Sequence, residues 1–310
     1  MPPEYFEEEE FETQYNGKTM LRTLGMLRPH FRYVAAFLVA TLAVAGMDAL
    51  FTYVSKLLVD QAIIPNDQDA LVRYLTYYGG LTIFQAIMVF CLIYLVSMLG
   101  ERLRFDLRQR MFNHLQDLSL SYYSRTPVGW IMARVTSDSD RVAELMTWGL
   151  MDSAWAVMSV TTSLVFMLII DWRLALIVLA LLPIMFYIAF QFRKRILGEF
   201  RNVRKTNSKI TGSYNENITG VRVVKALGRQ EENLREFGMQ TGEMYRASYR
   251  AAWLSALFLP SVQMITALAL GAIVWYGGLQ AQIGAITVGT ILAFVSYTTF
   301  MMWPIQDLAR

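Results

Sequence analysis

Six uninterrupted apolar runs constrain this chain more than any other feature: Val34–Val59, Gly79–Leu99, Gly149–Ile170, Leu174–Phe192, Ala251–Tyr276 and Ile286–Trp303. They are 18 to 26 residues long. A helix rises about 1.5 Å per residue, so about 20 apolar residues cross a bilayer core of about 30 Å. Four of the six contain no Asp, Glu, Lys or Arg. The runs are continuously apolar, which favours spanning helices over the alternating strands of a barrel. The first run is no signal peptide, because a long, acid-rich polar segment precedes it and no small-residue cleavage pattern follows. The expected fold class is all-α: a polytopic membrane protein with six spans.

Composition narrows the choice further. Of the 310 residues, 55% are hydrophobic and 17% charged, against about 25% charged in ordinary globular chains. A soluble enzyme domain, a disordered chain and a disulfide scaffold are excluded. Cys91 is the single cysteine, and His30 and His114 are the only histidines, so no His/Cys metal cluster can be assembled. The net charge of +3 does not suggest nucleic-acid binding; it follows from topology. Lys and Arg sit almost wholly in alternate loops, 25 against 2, with Lys56 inside a run. The positive-inside rule then places both termini and both long loops, 100–148 and 193–250, in the cytoplasm.

Both long loops read as helical. Leu103, Leu107, Met111, Leu115 and Leu118 recur at spacings of three and four, a stripe on a charged helix. A breaker follows at Ser124-Arg125-Thr126-Pro127-Val128-Gly129, and helix resumes from Trp130. The second loop repeats the plan: an arm to Glu216, a linker 217–223, and an arm from Val224 back to Arg250. Each descending arm projects roughly 33–36 Å below the membrane. At the N-terminus, residues 1–17 form an acidic tail with Glu7–Glu10, expected to be disordered. Residues 18–33 are expected to form an amphipathic interfacial helix, with Met20, Leu21, Leu24 and Leu27 interleaved with Arg22 and Arg28.

At the two loop tips the sequence resembles the exporter-type transmembrane domain of ABC transporters, of the multidrug or lipid half-transporter form. The segment from Tyr122-Tyr123 through Gly129 to Ala133-Arg134-Val135 and Asp138 is similar to that family's first intracellular loop. Glu216-Asn217-Ile218-Thr219-Gly220-Val221-Arg222-Val223, with Glu231 and Phe237, is similar to its second. Asp60-Gln61-Ala62-Ile63, Ile286-Thr287-Val288-Gly289-Thr290 and Pro304 add weaker likenesses, and the resemblance runs from about Lys18 onward. It implies an exporter domain over 34–310, with 18–33 as its elbow helix. It implies a first coupling helix of Tyr122, Tyr123, Ser124, Arg125, Thr126, Pro127 and Val128. A second would hold Asn217, Ile218, Thr219, Gly220, Val221, Arg222 and Val223. Both would dock on ATPase domains and switch the spans between inward-open and outward-open states. It also implies pairing with a second exporter chain, as homodimer or heterodimer; the expectation of a plasma membrane rests instead on the sequence showing no organelle-targeting segment. For single tip residues a local account stands beside this one: Gly129 and Gly220 would allow tight turns and Thr219 would cap a helix.

One family element is missing. No G-x-x-x-x-G-K-[ST] phosphate loop occurs, so these residues are not expected to be an enzyme. The chain reads as truncated or as part of a split transporter. ATP and magnesium are then expected at nucleotide-binding domains supplied in cis or in trans. For the pathway, Asp48 is the clearest intramembrane charge, a functional candidate by default. It would contact a cationic or polar substrate, pair with Lys56 or a neighbouring helix, or receive hydrogen bonds from Ser or Thr. Phe51, Met88, Trp155, Tyr297 and Met301 are further candidates, since Met and aromatic surfaces adapt to small amphipathic or lipid-like molecules. The competing class is a channel or scaffold with helical stalks and no ATPase partner. An intramembrane enzyme is weaker, because the runs supply only Asp48, Asp152 and Lys56.

Overall fold

The computed structural model describes residues 17–307, and every regular element among them is a helix. The acidic tail lies outside the described residues. In chain order the helices are α1 (Gly17–Gly25), α2 (Phe31–Leu58), α3 (Gln68–Asp117), α4 (Leu120–Arg125), α5 (Val128–Ala133), α6 (Ser139–Ile170), α7 (Trp172–Thr219), α8 (Val221–Ala226), α9 (Gln230–Gln282) and α10 (Val288–Asp307). Among the described residues, five helical stretches are long and apolar enough to cross a membrane; the apolar part of α10, Val288–Pro304, is shorter.

The long helices run unbroken from span to arm. The segment expected as an outer loop from Asp60 to Tyr78 is mostly helix. A π-helical turn, Val59–Ile63, closes α2, and α3 begins at Gln68. The reason is local: the Asp67 side chain accepts from the backbone N–H of Asp69 and Ala70, both at 3.0 Å, and so caps α3. Asp171 does the same for α7 through Arg173 and Leu174 at 2.9 Å, leaving a single residue between α6 and α7. Pro183 and Pro260 lie inside α7 and α9 without ending them, as neighbouring helices permit in a membrane. The helix expected over 18–33 is shorter in the structure. It stops at Gly25, and a 3₁₀ turn, Arg28–His30, leads into α2.

The chain divides into two compact units, residues 1–162 and 163–310. In the first, Leu92, Val96, Leu99, Leu103 and Leu107 form the buried face of α3 against Phe37 and Val44 of α2 and Met146 of α6. The stripe read from Leu103 to Leu118 is the continuation of that face along the arm. In the second unit, Leu174, Val178, Leu182, Met185 and Ala189 of α7 are buried, as are Phe258, Val262, Ala269 and Ile273 of α9; α7 and α9 make its most extensive helix pair. Gly277 lets α10 approach: a Cβ there would meet Ile291 Cγ1 at 3.0 Å. Lipid is as apolar as these side chains, so packing and hydrogen bonds hold the spans together more than water exclusion does.

Candidate functional site

Two arm tips and one polar cluster within the spans carry the residues of interest. At the first tip, α3 ends at Asp117 and Leu118 and Ser119 are extended. The chain then crosses as α4, Leu120–Arg125. Thr126 breaks this helix in extended conformation and is buried; Pro127 precedes α5 and Val128 opens it. The short cross-helix therefore starts two residues earlier than 122 and ends at Arg125. Thr126, Pro127 and Val128 belong to the return. The Tyr123 hydroxyl donates to the Leu115 carbonyl at 2.6 Å, tying α4 to the descending arm, and Tyr122 packs edge-on against Tyr123 at 5.6 Å. Leu120 and Val128 are left 88% and 70% exposed.

The second tip is offset the other way. Asn217, Ile218 and Thr219 complete the last turn of α7, Gly220 is the joint, and Val221, Arg222 and Val223 open α8, which continues to Ala226. Gly220 does not need a left-handed backbone. Its role is steric: a Cβ would lie 2.9 Å from the Glu216 carbonyl oxygen, which accepts from the Gly220 N–H at 2.7 Å. Gly228, at φ +67°, makes the turn from α8 into α9. The Asn217 amide donates to the Ser213 carbonyl at 2.7 Å, and the Asn233 side chain donates to Asn217, joining the two arms. Tyr214 and Phe237 pack ring to ring across them at 4.9 Å. Ile218, Val221, Val223 and Leu227 stay exposed. Two local expectations do not hold. Thr219 caps no helix start, since its hydroxyl donates back to the Asn215 carbonyl. Gly129 lies within α5, and a Cβ placed on it would meet nothing within 4 Å, so no tight turn demands it.

Within the spans, Asp48 of α2 accepts from Gln85 Nε2 of α3 at 2.7 Å and from the Trp155 side chain of α6. Lys56 does not pair with Asp48; it binds Asp60 one turn on, at 3.0 Å, with both side chains largely buried. Phe51 lies one turn along α2 from Asp48, its ring edge-on to Tyr78 at 4.8 Å. Met88, one turn along α3 from Gln85, packs against the first unit's core. Asp48, Phe51, Met88 and Trp155 thus share one unit. Tyr297 and Met301 belong to the other, 1% and 0% exposed, with Tyr297 packed on Phe166 at 6.4 Å. Gln85 is not among the residues expected from the sequence. Its signal there is a polar side chain in the uncharged second run.

The family model of the ABC transporter transmembrane region matches residues 34–305. The chain belongs to this family. This ABC transporter transmembrane domain is 27% identical over 308 residues to an ABC transporter ATP-binding protein of Bacillus subtilis, YknV, covering 99% of the chain and 51% of that relative. It is 27% and 24% identical to ATP-dependent lipid A-core flippases of Thiobacillus denitrificans and Syntrophus aciditrophicus. Those matches cover 93% and 97% of the chain and 50% of each flippase. The chain spans about half the length of these relatives. It is a multi-pass membrane domain of exporter type.

Proposed function

We propose that this domain forms half of the substrate pathway of an ATP-driven exporter and couples closure of ATPase domains to alternating access through α4 and α8. The observation that carries this reading is the pair of short cross-helices, each with exposed apolar side chains, at the ends of arms continuous with the spans. A helix without a break transmits displacement along its hydrogen-bonded ladder, so force applied at a tip reaches the membrane. The relatives' names, an ATP-binding protein and ATP-dependent flippases, support an ATPase partner.

The phosphate loop is missing from the sequence, so ATP and magnesium are assigned to nucleotide-binding domains in cis or in trans. A second exporter chain completes the pathway. The distribution of Lys and Arg supports cytoplasmic termini and tips, in a cell membrane. Asp48, held by Gln85 and Trp155, with Phe51 one turn away on α2 and Met88 one turn from Gln85 on α3, is the leading pathway site, suited to a small amphipathic or lipid-like molecule bearing a cation. Tyr297 and Met301 enter the pathway only in a conformation that uncovers them.

The test is disulfide trapping. In a Cys91→Ser background, Ser124→Cys and Val223→Cys are paired with cysteines on candidate ATPase domains. Nucleotide-sensitive cross-links from both tips support coupling. No cross-link, with no ATPase co-purifying, would favour a channel or scaffold.

A further inference from the structure

A groove of about 550 Å³ lies where α1 turns into α2, within the roughly 300–1,000 Å³ range of ligand pockets. Leu24, Leu27, Phe31, Val34 and Leu150 give it apolar walls, and Arg28 stands at it as the one charged lining group. Its floor is fixed. Leu27 is buried in the first unit's core, the Arg102 guanidinium sits over the Tyr33 ring at 4.2 Å, and His30 Nε2 meets Asp106 Oδ2 at 2.9 Å. That contact also engages Asp106, and no carboxylate is among the lining residues. The groove begins on the interfacial helix and ends on the first turns of the first span, the depth at which headgroups give way to hydrocarbon. Arg28 is exposed there, and Arg32 is exposed one turn further on.

We propose that this groove holds one anionic phospholipid, its acyl chain against Leu27, Val34 and Leu150 and its phosphate on Arg28. Charge complementarity selects this occupant: an apolar trough with a cation at its mouth, and no acid lining it, matches a chain joined to an anion. The proposal rests on the reading of α1 as a membrane-surface helix. It needs no ATPase partner, so its failure would leave the exporter reading untouched.

Native mass spectrometry of the purified protein, released from detergent with equal phosphatidylglycerol and phosphatidylcholine, tests it. Wild type should retain phosphatidylglycerol in preference, by at least about threefold. Arg28→Gln should abolish the preference, and Arg28→Lys should keep most of it. Arg22→Gln changes an exposed arginine of α1 that does not line the groove, and should leave the preference intact. Leu150→Trp, which fills the groove, should lower retention of both lipids; melting curves confirm that each variant is folded. Equal retention of the two lipids by wild type would overturn the proposal. So would equal effects of Arg22→Gln and Arg28→Gln, which mean diffuse surface charge. Displacement of the lipid by inorganic phosphate would also overturn it.

Discussion

Gly220 and Gly129 occupy similar places in the sequence, each beside an arm tip, yet the structure asks different things of them. An alanine at 220 pushes its Cβ onto a backbone carbonyl that cannot swing aside, which should cost about 1–3 kcal/mol. Gly129→Ala meets nothing at a helical position and should leave stability unchanged or raise it by up to about 1 kcal/mol. Thermal melting of the two variants checks the contrast. Asp48 makes the second residue-scale prediction. Asp48→Asn keeps an acceptor for Gln85 but removes the charge. A hydrogen bond to a charged group is worth about 1.5–3 kcal/mol, so transport of cationic amphiphiles should fall roughly tenfold or more. Neutral substrates should be spared; equal loss for both, measured in inverted vesicles, would remove Asp48 from recognition. That Asp48 stands out was legible, because a carboxylate in an apolar run is conspicuous. Its partner was not. Lys56 lies eight residues away on nearly the same face, but Asp60 offers it a carboxylate one turn off. Pairing of Asp48 with Gln85 depends on how α2 registers against α3, and no local pattern records that.

The elements were legible where periodicity is strong and blurred where capping decides. The stripe on α3 announced its arm. Apolar content alone leaves 60–78 as a loop between two runs, whereas one Asp67 cap starts α3 within it. Thr126-Pro127 and Gly220 mark breaks in the sequence without saying on which side the short helix lies, so α4 and α8 start two residues before and four residues after the expected segments. At this scale, the exposed apolar faces of α4 and α8 are the coupling candidates. Leu120→Asp and Val223→Asp should each lower ATP-driven transport about tenfold or more, the effect expected when an interface anchor is removed. Membrane insertion should be unchanged, since both side chains are exposed. A transport assay beside a fractionation control reads both. Normal transport by the double variant would detach the tips from coupling.

For the whole molecule, apolar length and the placement of Lys and Arg carry the expectation of six spans with cytoplasmic termini. The division into two units had no such signal, because it reflects which helices pack together. In the Cys91→Ser background, cysteines placed at Ser124, Thr219 and Ala285 test orientation: an impermeant thiol reagent added outside whole cells should label only Ala285→Cys. The unbroken arms carry a consequence for how this domain can vary in length. A helix that is continuous from bilayer to tip fixes the tip's rotational phase to that of the span. Removing one residue from the arm portion of α7 turns everything below by about 100° and shortens it by about 1.5 Å. A loop-linked tip would absorb such a change; this one must swing its apolar face away from any partner. Removing seven residues from each of α7 and α9 restores the phase to within about 20°, at the cost of about 10 Å of reach. Tolerated length changes in these arms should therefore come in sevens or elevens, matched on both limbs of the hairpin.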